Sequence, residues 1–283
     1  MLTEGEQWTE AQLAQLRSAR WRPSAQAAFM LAAQARANTT RRRRPALARQ
    51  ERSWILTGVT AWLVLGRLRP HGVFRRCRSG GLAWWAGCAV MLDWHLGMLE
   101  TPAGIPVPLG AADALTLIRA WLVPAVAEAG APWVVVIGAV TDFGDGHIAR
   151  ATRCTRFGRD LEGLVDACFF IAALRGAVAA GHLSPRVATL ERARLAAGSI
   201  YGAGAYFVTG RAPDPTVTRG GRLAAPVRCA ALIAAGLGHR RLADRLLLTG
   251  TLVAVAGLIG NRFTSQRRSH GARSRLARRA EQR

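Results

Sequence analysis

Four carboxylates between Thr141 and Asp166 carry a spacing that could do chemistry: Asp142, Asp145, Glu162 and Asp166. On a helix ending near Arg150, Asp142, Asp145, Gly146 and Ala149 fall at i, i+3, i+4 and i+7, which is one face. On a second helix beginning near Phe157, Gly158, Glu162 and Asp166 fall at i, i+4 and i+8, again one face. Where those faces meet, the four acids converge between helices whose Gly and Ala let them approach closely. Four like charges in a poorly solvated pocket need cations, or large shifts in ionisation, to coexist. Two divalent ions would supply the compensating charge, and an all-oxygen donor set suits hard ions such as Mg²⁺ or Mn²⁺. In the folded protein the four carboxyl groups are then expected within about 6 Å of a common centre, given Mg–O contacts near ~2.1 Å. The competing reading is a polar helix–loop–helix whose acids pair with Arg150, Arg153, Arg156 and Arg159. Paired surface acids have no reason to keep helical spacing on two faces, which argues against it.

The run from Asp142 through Asp145, Gly146, Ala149, Arg150, Gly158 and Glu162 to Asp166 resembles the signature of the CDP-alcohol phosphatidyltransferase family. Seven of its eight fixed positions match, and Glu162 stands where the family usually has Asp. Upstream, Asp113, Thr116 and Arg119, followed by Pro124, resemble the family's first-helix opening, with Asp113 in place of Asn. The resemblance covers roughly residues 110–262. It implies that Asp142, Asp145, Glu162 and Asp166 ligate two metal ions, with Asp166 also the general base on an acceptor hydroxyl. It further implies a nucleotide site formed by Gly146, Ala149, Arg150, Gly158, Asp113 and Thr116. The activity it implies is transfer of a phosphatidyl or similar phospho-alcohol group from a CDP-alcohol to a hydroxyl, with release of CMP, in phospholipid biosynthesis. A catalytically silent membrane protein that keeps the scaffold and binds lipid or a partner is the alternative.

The elements that must position these residues follow from composition. All 39 basic residues are Arg, set against 17 acids for a net charge of +22. Such an excess suits nucleic acid or an anionic membrane surface. No aromatic residues interleave with the Arg runs in a base-stacking pattern, so no nucleic-acid partner is expected. The five cysteines, at 77, 88, 154, 168 and 229, show no paired spacing and read as reduced packing residues. Residues 1–50 lack the apolar core of a cleavable secretory signal.

From Ala111 onward six apolar segments of near-spanning length can be read, at about 111–129, 132–150, 158–180, 187–209, 223–239 and 243–261. The expected fold is therefore all-α: a polytopic integral membrane protein with a six-helix transmembrane bundle and extra N-terminal helices. Residues 1–53 form a basic cytoplasmic segment, with one short helix capped by Thr9 and running to about Arg20 and a second from Pro23–Ser24 through about Ala37. Arg41–Arg44 are expected to hold an anionic leaflet, each well-placed Arg adding about 1 kcal/mol. Residues 54–100 make an apolar hairpin from the runs Trp54–Gly66 and Leu82–Leu99. It is expected to be interfacial or embedded, with Trp84, Trp85 and Trp94 suiting the interface. Residues 110–262 are the transferase domain, and 263–283 a basic tail.

Arg262–Arg283 holds eight Arg, and the front end is also basic, so both termini and the acidic site belong on the cytoplasmic side of a multi-pass cell-membrane protein. Arg211, Arg219, Arg222 and Arg228 outnumber Asp214 near the start of a late helix. Arg219 and Arg228 are therefore assigned to an anionic acceptor, because forked guanidinium donors suit a phosphate. The expected partners are the CDP-alcohol lipid donor, that hydroxyl acceptor, membrane lipids and a second copy of the chain as a homodimer.

Overall fold

The computed structural model of this chain describes residues 2–68, 71–128, 135–138, 140–141, 155–210 and 219–256, with only the backbone given for 219–222. Among these residues the structure is helical, with no strand beyond an isolated bridge between Glu100 and Pro106. Helix α1 spans Glu4–Ser18, α2 Pro23–Arg43, α3 Pro45–Leu68, α4 Val73–Arg76 and α5 Arg78–Trp94. Then come α6 (Ala111–Ala127), α7 (Arg156–Ala179), α8 (Pro185–Thr209), α9 (Arg219–Gly236) and α10 (240–256). The tail at 263–283 lies outside the described residues.

The first helix begins earlier than Thr9. Thr3 and Glu6 form a reciprocal capping box, which satisfies two of the orphan amides at the start of α1. Thr9 is already inside the helix, where its hydroxyl donates to the Gly5 carbonyl at 2.9 Å. Helix α2 continues six residues beyond Ala37 into the Arg run, consistent with the good helix propensity of Arg. Asp93, near the end of α5, receives Arg41 of that run at 2.8 Å, so it serves as a structural ion pair.

Indoles join α3, α5 and α6. Trp85 donates to the Ile55 carbonyl at 2.9 Å and Trp121 to that of Gly58 at 2.9 Å. Pro124 has no N–H, so the Ala120 carbonyl one turn earlier loses its helical donor. The Trp84 indole supplies the missing hydrogen bond at 2.7 Å. Close packing at these crossings requires glycine: a Cβ on Gly58 would stand 2.3 Å from the Trp85 ring, and one on Gly81 2.6 Å from Trp62.

Helices α6 and α7 lie directly against each other, and a Cβ on Gly176 would come within 2.2 Å of the Val126 carbonyl oxygen. Phe157, Phe169 and Leu174 of α7 share one apolar core with Leu117, Leu122 and Val126 of α6. No helix among the described residues is long and apolar enough to cross a membrane. This differs from the six expected spans, and the cause is charge and length. Helix α6 has 17 residues, while α7, α8 and α9 carry Arg and acids well inside their bounds, Asp166, Glu191 and Arg228 among them. The second expected span, 132–150, lies largely outside the described residues.

Glu51 of α3 is 2 % exposed. Burial first, and the neighbouring Asp93 second, push its carboxyl from 4.5 up to about 7 against the opposing pull of Arg41 and Arg52. A carboxyl with a raised folded pKa binds its proton more tightly when folded. Its contribution is therefore intact below pH 4.5 and lost as the pH rises through about 7. Glu51→Gln is expected to remove that part of the pH dependence and to raise Tm by about 2–4 °C near pH ~8. Thermal scans of both proteins across this range check it, and parallel curves would refute it.

Candidate functional site

Asp113 fastens the start of α6 to the start of α7. Its Oδ2 accepts from the Gly110 amide at 2.8 Å, which caps α6. Its Oδ1 accepts from the Thr155 hydroxyl at 2.6 Å. Thr155 is the N-cap of α7, and its Oγ1 also accepts from the Gly158 amide at 2.8 Å. Gly158 is needed because a Cβ there would lie 2.1 Å from Asp113 Oδ1. Thr116 is buried one turn into α6, where its hydroxyl donates to the Ala112 carbonyl at 3.3 Å.

The first residue of α7 is gripped from the N-terminal region. Arg156 donates to Glu100 at 2.6 Å and to the Thr3 hydroxyl at 2.6 Å, and it pairs with Glu6 at 3.1 Å. Its own amide bonds the Glu100 carbonyl at 2.9 Å. The helix carrying Glu162 and Asp166 thus has its origin set by Asp113 and Thr155 on one side and by α1 and residue 100 on the other.

Along α7, Glu162 is half-buried. One turn later Asp166 has a side chain 37 % exposed and lies 3.0 Å from Nη2 of Arg119, whose side chain is 2 % exposed. That pair gives the carboxylate a buried cationic neighbour. Asp160 points away from this group: it is exposed and paired with Arg159 at 3.2 Å. Asp166 and Arg119 line a cavity of about 300 Å³ whose other walls include Gly138, Phe170, Arg228 and Leu232.

Arg228 of α9, which also lines the cavity, sits 5.6 Å from the Phe170 ring centroid and donates to Glu191 at 3.0 Å. Glu191 of α8 is 0 % exposed and also accepts from Arg194 and Thr251. Neither Glu191 nor Thr251 belongs to the acidic signature. The one trace of this cluster in the sequence is a carboxylate with two Arg inside an otherwise apolar stretch.

The described residues hold half of the proposed metal ligands. Asp142, Asp145, Gly146, Ala149 and Arg150 lie outside them, as does the side chain of Arg219. Among the described residues no three His, Cys, Asp or Glu side chains group together to hold a metal. What is present fits a hard cation in kind: Glu162 and Asp166 stand one turn apart on α7, both partly accessible, and both offer oxygen alone.

The family model described as CDP-alcohol phosphatidyltransferase matches residues 109–260, more than half of the chain. No curated protein and no solved structure matches it.

Proposed function

We propose, for a chain that belongs to the CDP-alcohol phosphatidyltransferase family, the transfer of a phosphatidyl group from CDP-diacylglycerol or a related CDP-alcohol to an anionic hydroxyl acceptor, with release of CMP. The observation that carries this reading is Asp166. It is the last carboxylate of the acidic signature, it is paired with buried Arg119, and it faces a cavity large enough for part of a substrate.

In this reaction the acceptor oxygen attacks the distal phosphorus of the pyrophosphate. A new P–O bond forms, the bond to the bridging oxygen breaks, and CMP leaves with that oxygen and its electron pair. Asp166 takes the hydroxyl proton as the attack proceeds, a task that needs position more than basicity. Arg119, 3.0 Å away, is the cationic neighbour that positions Asp166. Members of this family generally use a divalent metal. In this chain Asp142, Asp145, Glu162 and Asp166 would hold two ions, Mg²⁺ or Mn²⁺, which supply charge neutralisation of the pyrophosphate when bound. Gly146, Ala149, Arg150 and Gly158, with Asp113 and Thr116 at the head of α6, are assigned to the nucleotide side. Arg228, and with it Arg219, is assigned to the acceptor's charge.

A membrane seat for the domain is supported by large apolar side chains left exposed on α8 and α10, among them Ile200, Phe207, Val208, Leu252 and Val253. The Arg run at 41–44 suits an anionic leaflet beside it. Active site and termini are then cytoplasmic, where a CDP-linked donor and a water-soluble acceptor meet. The substitution of Glu162 for the usual Asp favours the second reading, a scaffold that binds lipid or a partner without turnover.

The test is to incubate the purified protein with CDP-diacylglycerol and a panel of neutral and phosphorylated alcohols, with and without EDTA, and to follow CMP and the lipid product. Metal-dependent CMP release that needs an acceptor supports the transferase, and no release under any condition supports the silent scaffold. Arg228→Gln is expected to raise the acceptor's KM about tenfold or more, the worth of a charge-assisted hydrogen bond. The donor's KM should stay within about twofold. A neutral alcohol as the better acceptor would remove the case for Arg228.

A further inference from the structure

The family signature ends at Asp166, yet a second set of buried ionic contacts reaches the same cavity through Arg228. Its centre is Glu191, the carboxylate with 0 % exposure on α8. Oε1 accepts from Arg194 Nη2 at 2.6 Å and from Arg228 Nη1 at 3.0 Å. Oε2 accepts from Arg194 Nε at 2.8 Å and from the Thr251 hydroxyl at 2.8 Å. Three N–H groups of Arg194 and Arg228, with the Thr251 hydroxyl that lies equally near the Leu247 carbonyl, therefore surround a carboxylate that has about four acceptor positions.

A buried carboxylate this well satisfied is held rigidly, because leaving any of its partners unpaired is costly. Its formal charge balances one of the two Arg, so the group keeps a net positive charge next to the cavity that Arg228 lines. The stem of Arg228 is confined as well. A Cβ on Gly250 of α10 would lie 2.7 Å from Arg228 Cγ, so α10 packs directly on that stem. The Phe170 ring, 5.6 Å from the guanidinium centre, closes another side. Core ionic groups of this kind rarely add stability over an apolar packing of equal volume. Their value lies in fixing a geometry, and the geometry fixed here is that of the one Arg in the cluster that reaches the cavity wall.

We propose that Glu191 is a positioning residue: by binding Arg228, Arg194 and Thr251 together it sets the Arg228 guanidinium at the cavity wall, where that group receives the negative charge of the acceptor. The inference rests on the anionic-acceptor reading above. It adds that discrimination for a phosphate-bearing acceptor is built from α8 and α10 as well as α9. Glu191 does not touch the acceptor in this scheme and acts through Arg228.

The test uses the full chain in detergent, with inorganic phosphate as the probe. Calorimetric binding of phosphate and the separate KM values for acceptor and donor are measured for four variants. Glu191→Gln paired with Arg194→Gln keeps the net charge of the cluster and removes the anchor, so it tolerates folding better than Glu191→Gln alone. Thr251→Val removes one donor and no charge, and Arg228→Gln is the reference. Expected is a weakening of phosphate binding by about tenfold in the paired variant and in Arg228→Gln, and by about threefold in Thr251→Val. The acceptor's KM should rise in parallel while the donor's KM and kcat stay near wild type, a split that a purely structural defect would not produce. If Arg228→Gln weakens phosphate binding but the paired variant and Thr251→Val do not, the positioning role is overturned and the acceptor reading stands. If phosphate ignores wild type, or binds Arg228→Gln equally well, the acceptor reading falls and the inference falls with it.

Discussion

Asp166→Asn is expected to lower CMP release by about 10²–10⁴-fold, the range for a lost general acid–base group. Asp160→Asn on the same helix should stay within roughly twofold of wild type, as for a solvent-facing change. Asn preserves the shape of the side chain and removes its charge, so the loss would report on proton transfer and on ligand charge together. It also strips Arg119 of its 3.0 Å countercharge, and a guanidinium with a side chain only 2 % exposed does not tolerate that quietly. Some loss of stability is therefore built into the prediction. The charge-balanced double variant, Asp166→Asn with Arg119→Gln, separates the two effects. Its Tm should recover towards wild type while CMP release stays low, because stability follows the pair and chemistry follows the carboxylate. If the double variant regains activity, Asp166 matters only as a partner for Arg119. If Asp160→Asn is as damaging as Asp166→Asn, the face of α7 assigned to catalysis is wrong.

The spacing of Gly158, Glu162 and Asp166 was legible because one helix carries all three, and helical geometry alone puts i, i+4 and i+8 on one side. All-helical structure was legible for the same reason, from long apolar periods without strand punctuation. What the sequence concealed depends on contacts between helices. Asp113 and Thr155 are 42 residues apart, and Glu191 and Thr251 are 60 apart, so no local pattern announces either pair. Asp113 is one case: the family resemblance implies a nucleotide contact for it, and nothing local to it announces that its oxygens accept from Gly110 and Thr155.

Other differences have equally local causes. The hydrogen bond that Trp84 donates to the Ala120 carbonyl had no sign in its own neighbourhood, because the need for it arises at Pro124, 40 residues on. Thr9 looked like the first cap because the apolar period starts after it, yet the Thr3–Glu6 box begins the helix one turn and a half earlier. Apolar length suggested six spans, and no helix among the described residues is long and apolar enough to be one, because charges such as Asp166, Glu191 and Arg228, each held in an ion pair, interrupt the apolar runs.

Gly158→Ala should be a damaging single methyl addition near the site. The new Cβ would stand 2.1 Å from Asp113 Oδ1 and 3.2 Å from Thr155 Oγ1. Asp113 is 3 % exposed and held through both oxygens, so it cannot swing aside without giving up the Gly110 amide or the Thr155 hydroxyl. Either the two helices separate or a buried hydrogen bond breaks. Overpacking of this kind costs about 1–3 kcal/mol, and an unsatisfied buried polar group about 1–3 kcal/mol more. Activity should fall further than stability, because Glu162 and Asp166 ride on the displaced helix. A shift of about 1 Å in a catalytic group is worth on the order of 10²-fold in rate. Gly163→Ala provides the contrast. Its Cβ would meet nothing within 4 Å, so the gain in helix propensity should leave Tm unchanged or slightly higher. The decisive comparison is with Asp113→Ala, which removes the obstacle. Asp113→Ala alone should destabilise the protein, but adding Gly158→Ala to it should cost far less than adding it to wild type. Thermal unfolding of the four proteins measures that coupling, and CMP release at a temperature well below each Tm measures the displacement of α7. Strictly additive costs would mean that α6 and α7 do not meet at Gly158, and that the start of α7 is set by Arg156 and the N-terminal helix alone.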